Sequence, residues 1–108
     1  MTLQEIITGI AAAPDEATIF AHRTNGEFRP LSAAVLVNFS DVDRQRPVRE
    51  VAAEQCPGME YFLEVELVRE LLDAWRENHN GQVPPIDQAL ESVIFYAEND
   101  AYPDSFFG

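Results

Sequence analysis

Two histidines, His22 and His79, one cysteine, Cys56, and nineteen carboxylates are the side chains of this 108-residue sequence that could perform acid-base, nucleophilic or metal chemistry. His22, Cys56 and His79 form a Cys/His pair or a metal site only if the fold brings them together, because none stands at metal-ligand spacing from another. In isolation each has a simpler role: His22 at the end of a strand, His79 near a helix C-terminus where a cation is favoured, and Cys56 as a small apolar residue before a turn. The sequence holds no phosphate loop, dinucleotide fingerprint, Gly-x-Ser-x-Gly turn or His-Glu-x-x-His pair.

Carboxylates are the larger resource. Asp41 and Asp43 alternate, and Glu98, Asp100 and Asp104 lie close in sequence, but neither group has the glycine and terminal glutamate of a calcium loop. A carboxylate enzyme, metal-assisted or not, or a small-ligand binder would need two or more of these five to converge in a concave pocket with raised pKa values. That is the alternative reading. The leading one starts from Tyr96, Glu98, Asp100, Tyr102, Asp104 and Phe106, where rings interleave with acids. Such a stretch suits docking on a basic partner, since rings supply buried area and carboxylates supply steering. The plainer role for the same residues is rings that cap the core and acids that keep the surface hydrated.

Bulk charge points the same way. Seven basic residues, all arginine, against nineteen acidic ones give a net −12, and positions 81–108 contain no arginine. DNA, RNA and anionic membranes are bound by cationic clusters that neutralise phosphates, so this composition excludes them as partners. A hydrophobic fraction of 46% marks a folded chain despite the acidity. No apolar run is long enough to span a bilayer, Glu5 stands where a secretory signal would be basic, and one cysteine forms no internal disulfide; the expected location is cytoplasmic.

The elements that must position these residues follow from periodicity. Leu67, Val68, Leu71, Leu72 and Trp75 share one face of a helix, which Gly81 and Pro84-Pro85 should stop near residue 79. Thr2-Leu3-Gln4-Glu5 is a capping box opening a helix of about three turns with Leu3, Ile6, Ile7 and Ile10 on one side. Residues 17–22 and 33–39 read as strands paired antiparallel across the Thr24-Asn25-Gly26 turn. Pro47 to Gln55 forms a two-turn helix with Pro47 in its first position. Residues 59–65 are a third strand running into the central helix, with continuous helix as the rival reading. Ile86, Ala89, Leu90, Val93, Ile94 and Ala97 are a last helical stripe, with Pro85 in its first turn and Asn99 or Asp100 at its exit. The expected fold is α+β over one domain, 1–108: a small three-stranded antiparallel sheet with helices packed mainly on one face, in the order α-β-β-(α)-β-α-α.

Glu60-Tyr61-Phe62-Leu63-Glu64-Val65, the amphipathic helix after it, and Phe95-Tyr-Ala-Glu-Asn-Asp-Ala-Tyr102 together resemble a family of small, acidic, uncharacterised bacterial domains over the last half of the chain. The resemblance implies a bacterial source, adds weight to Asn99-Asp100-Ala101, and carries no activity. In general character the chain is similar to bacterial toxin-immunity proteins, which are small, acidic and cytoplasmic. The functional expectation is a non-enzymatic protein that binds and inhibits a basic protein, immunity-like or as a nucleic-acid mimic, with no cofactor and no metal. A homodimer through the Trp75 helix or the C-terminal rings is a third possibility.

Overall fold

The computed structural model describes residues 1–103. Seven elements follow one another as α1 (Leu3–Thr8), β1 (Thr18–Ala21), β2 (Ala34–Val37), α2 (Val48–Gln55), β3 (Glu60–Glu64), α3 (Val65–Glu77) and α4 (Ile86–Asn99). Short 3-10 turns at Ile10–Ala12 and Asp43–Gln45 complete the set. The fold is α+β, with one antiparallel sheet of three strands in the order β2-β1-β3. Residues 60–64 are a strand and α3 begins directly after it, so the rival continuous helix is excluded.

The capping box forms as its residues dictate: Thr2 Oγ1 accepts from the Glu5 N–H at 3.2 Å and the Glu5 carboxylate accepts from the Thr2 N–H at 3.2 Å. The next two free donors of α1, the N–H groups of Leu3 and Gln4, donate to the carbonyls of Ser32 and Pro30 at 3.0 and 2.9 Å. The helix N-terminus is thereby seated on the loop between β1 and β2. α1 is six residues long rather than three turns, because the chain leaves helical geometry at Gly9 and tightens into the first 3-10 turn. Arg69 of α3 holds that turn. Its guanidinium donates to the carbonyls of Ile10 at 3.0 and 3.2 Å and Ala13 at 2.5 Å, and pairs with Asp15.

Asn25 and Gly26 both have positive φ, 53° and 81°, as a two-residue hairpin turn requires, and Thr24 and Glu27 exchange two backbone hydrogen bonds across it. β1 is central and buried along its whole length. Its Ile19 and Ala21 face the larger core, built from α1, α3 and α4, while Phe20 faces the opposite side with Ala52 of α2, Val37 and Cys56. Three helices therefore cover one face and α2 the other. β3 carries a bulge opposite Ile19 and Phe20, where Ile19 pairs with Leu63 and Phe20 with Tyr61. A regular strand would send Phe62 and Leu63 to opposite faces; the bulge turns both into the larger core. Burial of a Phe or Leu side chain contributes about 1.5–3 kcal/mol, so the irregularity is repaid in packing.

α3 ends at Glu77, two residues before the sequence-based limit, and Asn80 and Gly81 follow in left-handed geometry, with φ of 57° and 77°. Pro47 and Pro85 both stand at N-cap positions, one residue before the places their helix-starting preference suggested. Among the described residues no helix is long and apolar enough to cross a membrane.

Candidate functional site

α4 is shaped by its ends. Pro85 sets its entry, Asp87 lies in the first turn where the helix dipole favours an anion, and Asp100 closes it in left-handed geometry (φ 53°), donating its N–H to the Tyr96 carbonyl at 2.7 Å. Ala89, Leu90 and Val93 are buried against the core. Ile86 and Phe95, at opposite ends of the helix, keep 40% and 38% of their surface exposed. They flank a groove of about 760 Å³ whose floor is Leu90 and Ile94 and whose far wall is Phe28, Pro30 and Gln4.

That wall is rigidly made. Phe28 packs edge-on to Phe62, with ring centroids 4.9 Å apart, and the Arg23 guanidinium lies 4.0 Å from the Phe28 centroid. Arg29 and Ser32 close a turn: the Ser32 hydroxyl accepts from the Arg29 N–H at 2.8 Å, and the Ser32 N–H donates to the Arg29 carbonyl at 2.9 Å. The α1 N-terminus docks on this same loop, which brings Gln4 beside Pro30.

Among the described residues four carboxylates border the groove, Glu27, Asp87, Glu91 and Glu98, and no basic residue lines it. Two are already engaged: Glu98 with Arg23 at 2.5 Å, and Glu27 with Arg29 at 3.4 Å. Asp87 and Glu91 have no arginine ion pair among the described residues. Standing four apart on one helix, they repel each other at a cost of about 0.2–0.5 kcal/mol. The groove is thus apolar inside and negative along its α4 rim.

Of the six residues singled out from sequence, the four that the structure describes divide between two places. Glu98 lines the groove. Tyr96 and Tyr102 meet on another side of α4, ring centroids 5.7 Å apart, and the Asp100 carboxylate is near enough to act on Tyr61 of β3. Burial, and then the nearby Glu64 carboxylate, push the Tyr61 phenol up from its ordinary pKa. Asp104 and Phe106 lie outside the described residues. Ile86, Phe28, Asp87 and Glu91 were not among the six. The available signal was Phe95, a ring off the apolar stripe of its helix, with Glu91 and Glu98 one turn away on either side.

The chain matches the family profile of a domain of unknown function, DUF7716, over residues 1–104. It is a DUF7716 domain. The DUF7716 likeness runs along nearly the whole chain, where the resemblance read from sequence covered the last half. No curated protein and no solved structure matches it.

In this DUF7716 domain the other chemistry-bearing residues are dispersed into structural roles. Asp43 accepts from the Ser40 N–H and the Gln55 side-chain amide, both at 3.3 Å, and hydrogen bonding from Ser40, its side chain first and then its N–H, holds the carboxyl below the usual carboxylate range rather than above it. It lines a cleft with Arg44 and Arg46, separate from the groove that Glu98 lines. Cys56 is buried, which pushes its thiol up and makes it a poor nucleophile. His22 lies against Gly58, and His79 stacks on Trp75 with 3.7 Å between ring centroids. Trp75 itself is only 4% exposed. Among the described residues no group of three His, Cys, Asp or Glu side chains is arranged to hold a metal ion.

Proposed function

We propose that this protein is a non-catalytic binding module whose electronegative exterior docks on a basic protein and covers its cationic surface. Inhibition follows from the covering, whether the partner is a toxin or a protein whose nucleic-acid site is occupied by mimicry. One observation carries the reading. Among the described residues eight of eighteen carboxylates pair with arginine, and the other ten are exposed to solvent without an arginine ion pair. Surface charge of one sign accelerates encounter with the opposite sign and repels phosphate-bearing partners.

The test is retention of proteins from source lysate on the immobilised full chain, first at about 50 mM and then at about 500 mM salt, with identification of what is eluted. Screening shortens the reach of exposed charges several-fold over that range. The expected result is proteins of high isoelectric point, retained at low salt and released or weakened at high salt. Retention of none, or only of acidic proteins indifferent to salt, contradicts the reading.

A further inference from the structure

We infer that the groove between α4 and the 27–30 loop is the seat of an amphipathic, cationic helix of the partner protein. The inference rests on the binding function proposed above and names its site and the form of the ligand.

The groove asks for two properties together. Its floor, the buried Leu90 and the half-buried Ile94, and its ends, the exposed Ile86 and Phe95, are apolar and call for aliphatic or aromatic side chains. Its α4 rim, Asp87 and Glu91, calls for cations. The other two carboxylates are already engaged, Glu98 near the end of α4 with Arg23 and Glu27 on the opposite loop with Arg29. The negative edge is therefore on one side only, and a ligand with apolar residues on one flank and lysine or arginine on the other fits in one orientation. A fatty acid would satisfy the floor but bring its carboxylate to an acidic rim.

Spacing favours a helix. Ile86 and Phe95 are nine positions apart on α4, about 13.5 Å along its axis, and Asp87 and Glu91 are about 6 Å apart. A helix laid beside α4 presents apolar residues at i, i+3, i+4 and i+7 over the first distance and basic residues at i, i+4 over the second. Roughly 10 residues of helix span the groove.

The experiment uses the full chain and a fluorescent leucine/lysine peptide of about 14 residues, ordered so that it is amphipathic as a helix. A second peptide has the same composition in scrambled order, and binding is followed by anisotropy at low salt. Two charge-matched double variants separate site from bulk charge: Asp87→Asn with Glu91→Gln in the groove, and Glu70→Gln with Glu77→Gln on α3. All four positions are exposed, so the fold is retained. The expected result is binding of the ordered peptide about tenfold tighter than the scrambled one. The groove variant loses about tenfold and the α3 variant less than about twofold. Equal affinity for both peptides, or equal loss in both variants, overturns the groove assignment while leaving the acidic binding function standing. Binding of neither peptide contradicts both. Displacement of the ordered peptide by dodecanoate at lower concentration than by unlabelled peptide overturns the helix assignment in favour of a lipid ligand.

Discussion

Arg23 and Glu98 are separated by 75 positions in sequence and by 2.5 Å in the fold. The same guanidinium reaches Glu60 at 3.0 Å and the Gly26 carbonyl at 3.1 Å, and lies over Phe28, so one side chain joins the hairpin, β3 and α4. Exposed ion pairs contribute about 0.2–1 kcal/mol each and a surface cation-π contact about 0.5–1 kcal/mol. Arg23→Ala is therefore expected to destabilise by about 1–2 kcal/mol in urea denaturation. Arg23→Lys recovers less than half of that, because an ammonium cannot hold two carboxylates and a ring at once. An unchanged midpoint for Arg23→Ala contradicts this role.

Arg69 is the second long-range tie, and its partners are backbone carbonyls rather than carboxylates alone. Removing it strands the carbonyls of Ile10 and Ala13 in a partly buried setting. Arg69→Ala is expected to cost about 2 kcal/mol, and Asp15→Asn under about 1 kcal/mol, since Asp15 is exposed. Equal losses in the two variants show that the ion pair, not the capped turn, carries the stability.

The β3 bulge makes a prediction that a regular strand reverses. Phe62 is buried in the larger core and Tyr61 is exposed, so Phe62→Ala is expected to cost about 3–5 kcal/mol and Tyr61→Ala about 1 kcal/mol. Thermal or denaturant unfolding measures both. Comparable losses would place the bulge elsewhere.

Acid sensitivity follows from Asp43 and Glu54. The Ser40 hydrogen bonds lower the first, and the fork of Arg46, at 2.7 and 2.9 Å, lowers the second. A folded pKa below the unfolded one means stability that is complete above the unfolded value and lost as pH falls through the folded one. The difference in denaturation midpoint between wild type and Glu54→Gln is thus expected to be constant near neutrality and to shrink as pH falls below 4.5. A difference that widens in acid contradicts the assignment.

What was legible in the residues was local. Thr2 with Glu5, Asn25 with Gly26, and the 67-68-71-72-75 stripe each specify a cap, a turn or a face within a few positions, and all three form. The antiparallel pairing of β1 with β2 was expected as well and forms, whereas the seat of β3 on the other edge of β1, with β2 and α2 between them in the chain, was not specified by any local pattern. Long-range consequences were not legible. Nothing near Arg69 announces that it caps residues 10–13, and no local pattern assigns α2 to the face of the sheet opposite the other helices. The bulge escapes notice because Phe62-Leu63 reads equally well as regular alternation until the pairing with β1 is known. The groove was hidden for the same reason: its walls come from residues 4, 27–30 and 86–99, and only the packing of α1 on the 30–32 loop brings them side by side.

An amide-resolved NMR titration of the isotope-labelled full chain with the ordered leucine/lysine peptide, at low and high salt, shows directly whether the acidic groove is where a cationic helix docks. The expected result is saturable shifts concentrated at residues 86–98 and 27–30, with affinity falling as salt rises. Shifts spread evenly over the acidic surface, or centred on α3, would contradict docking in the groove.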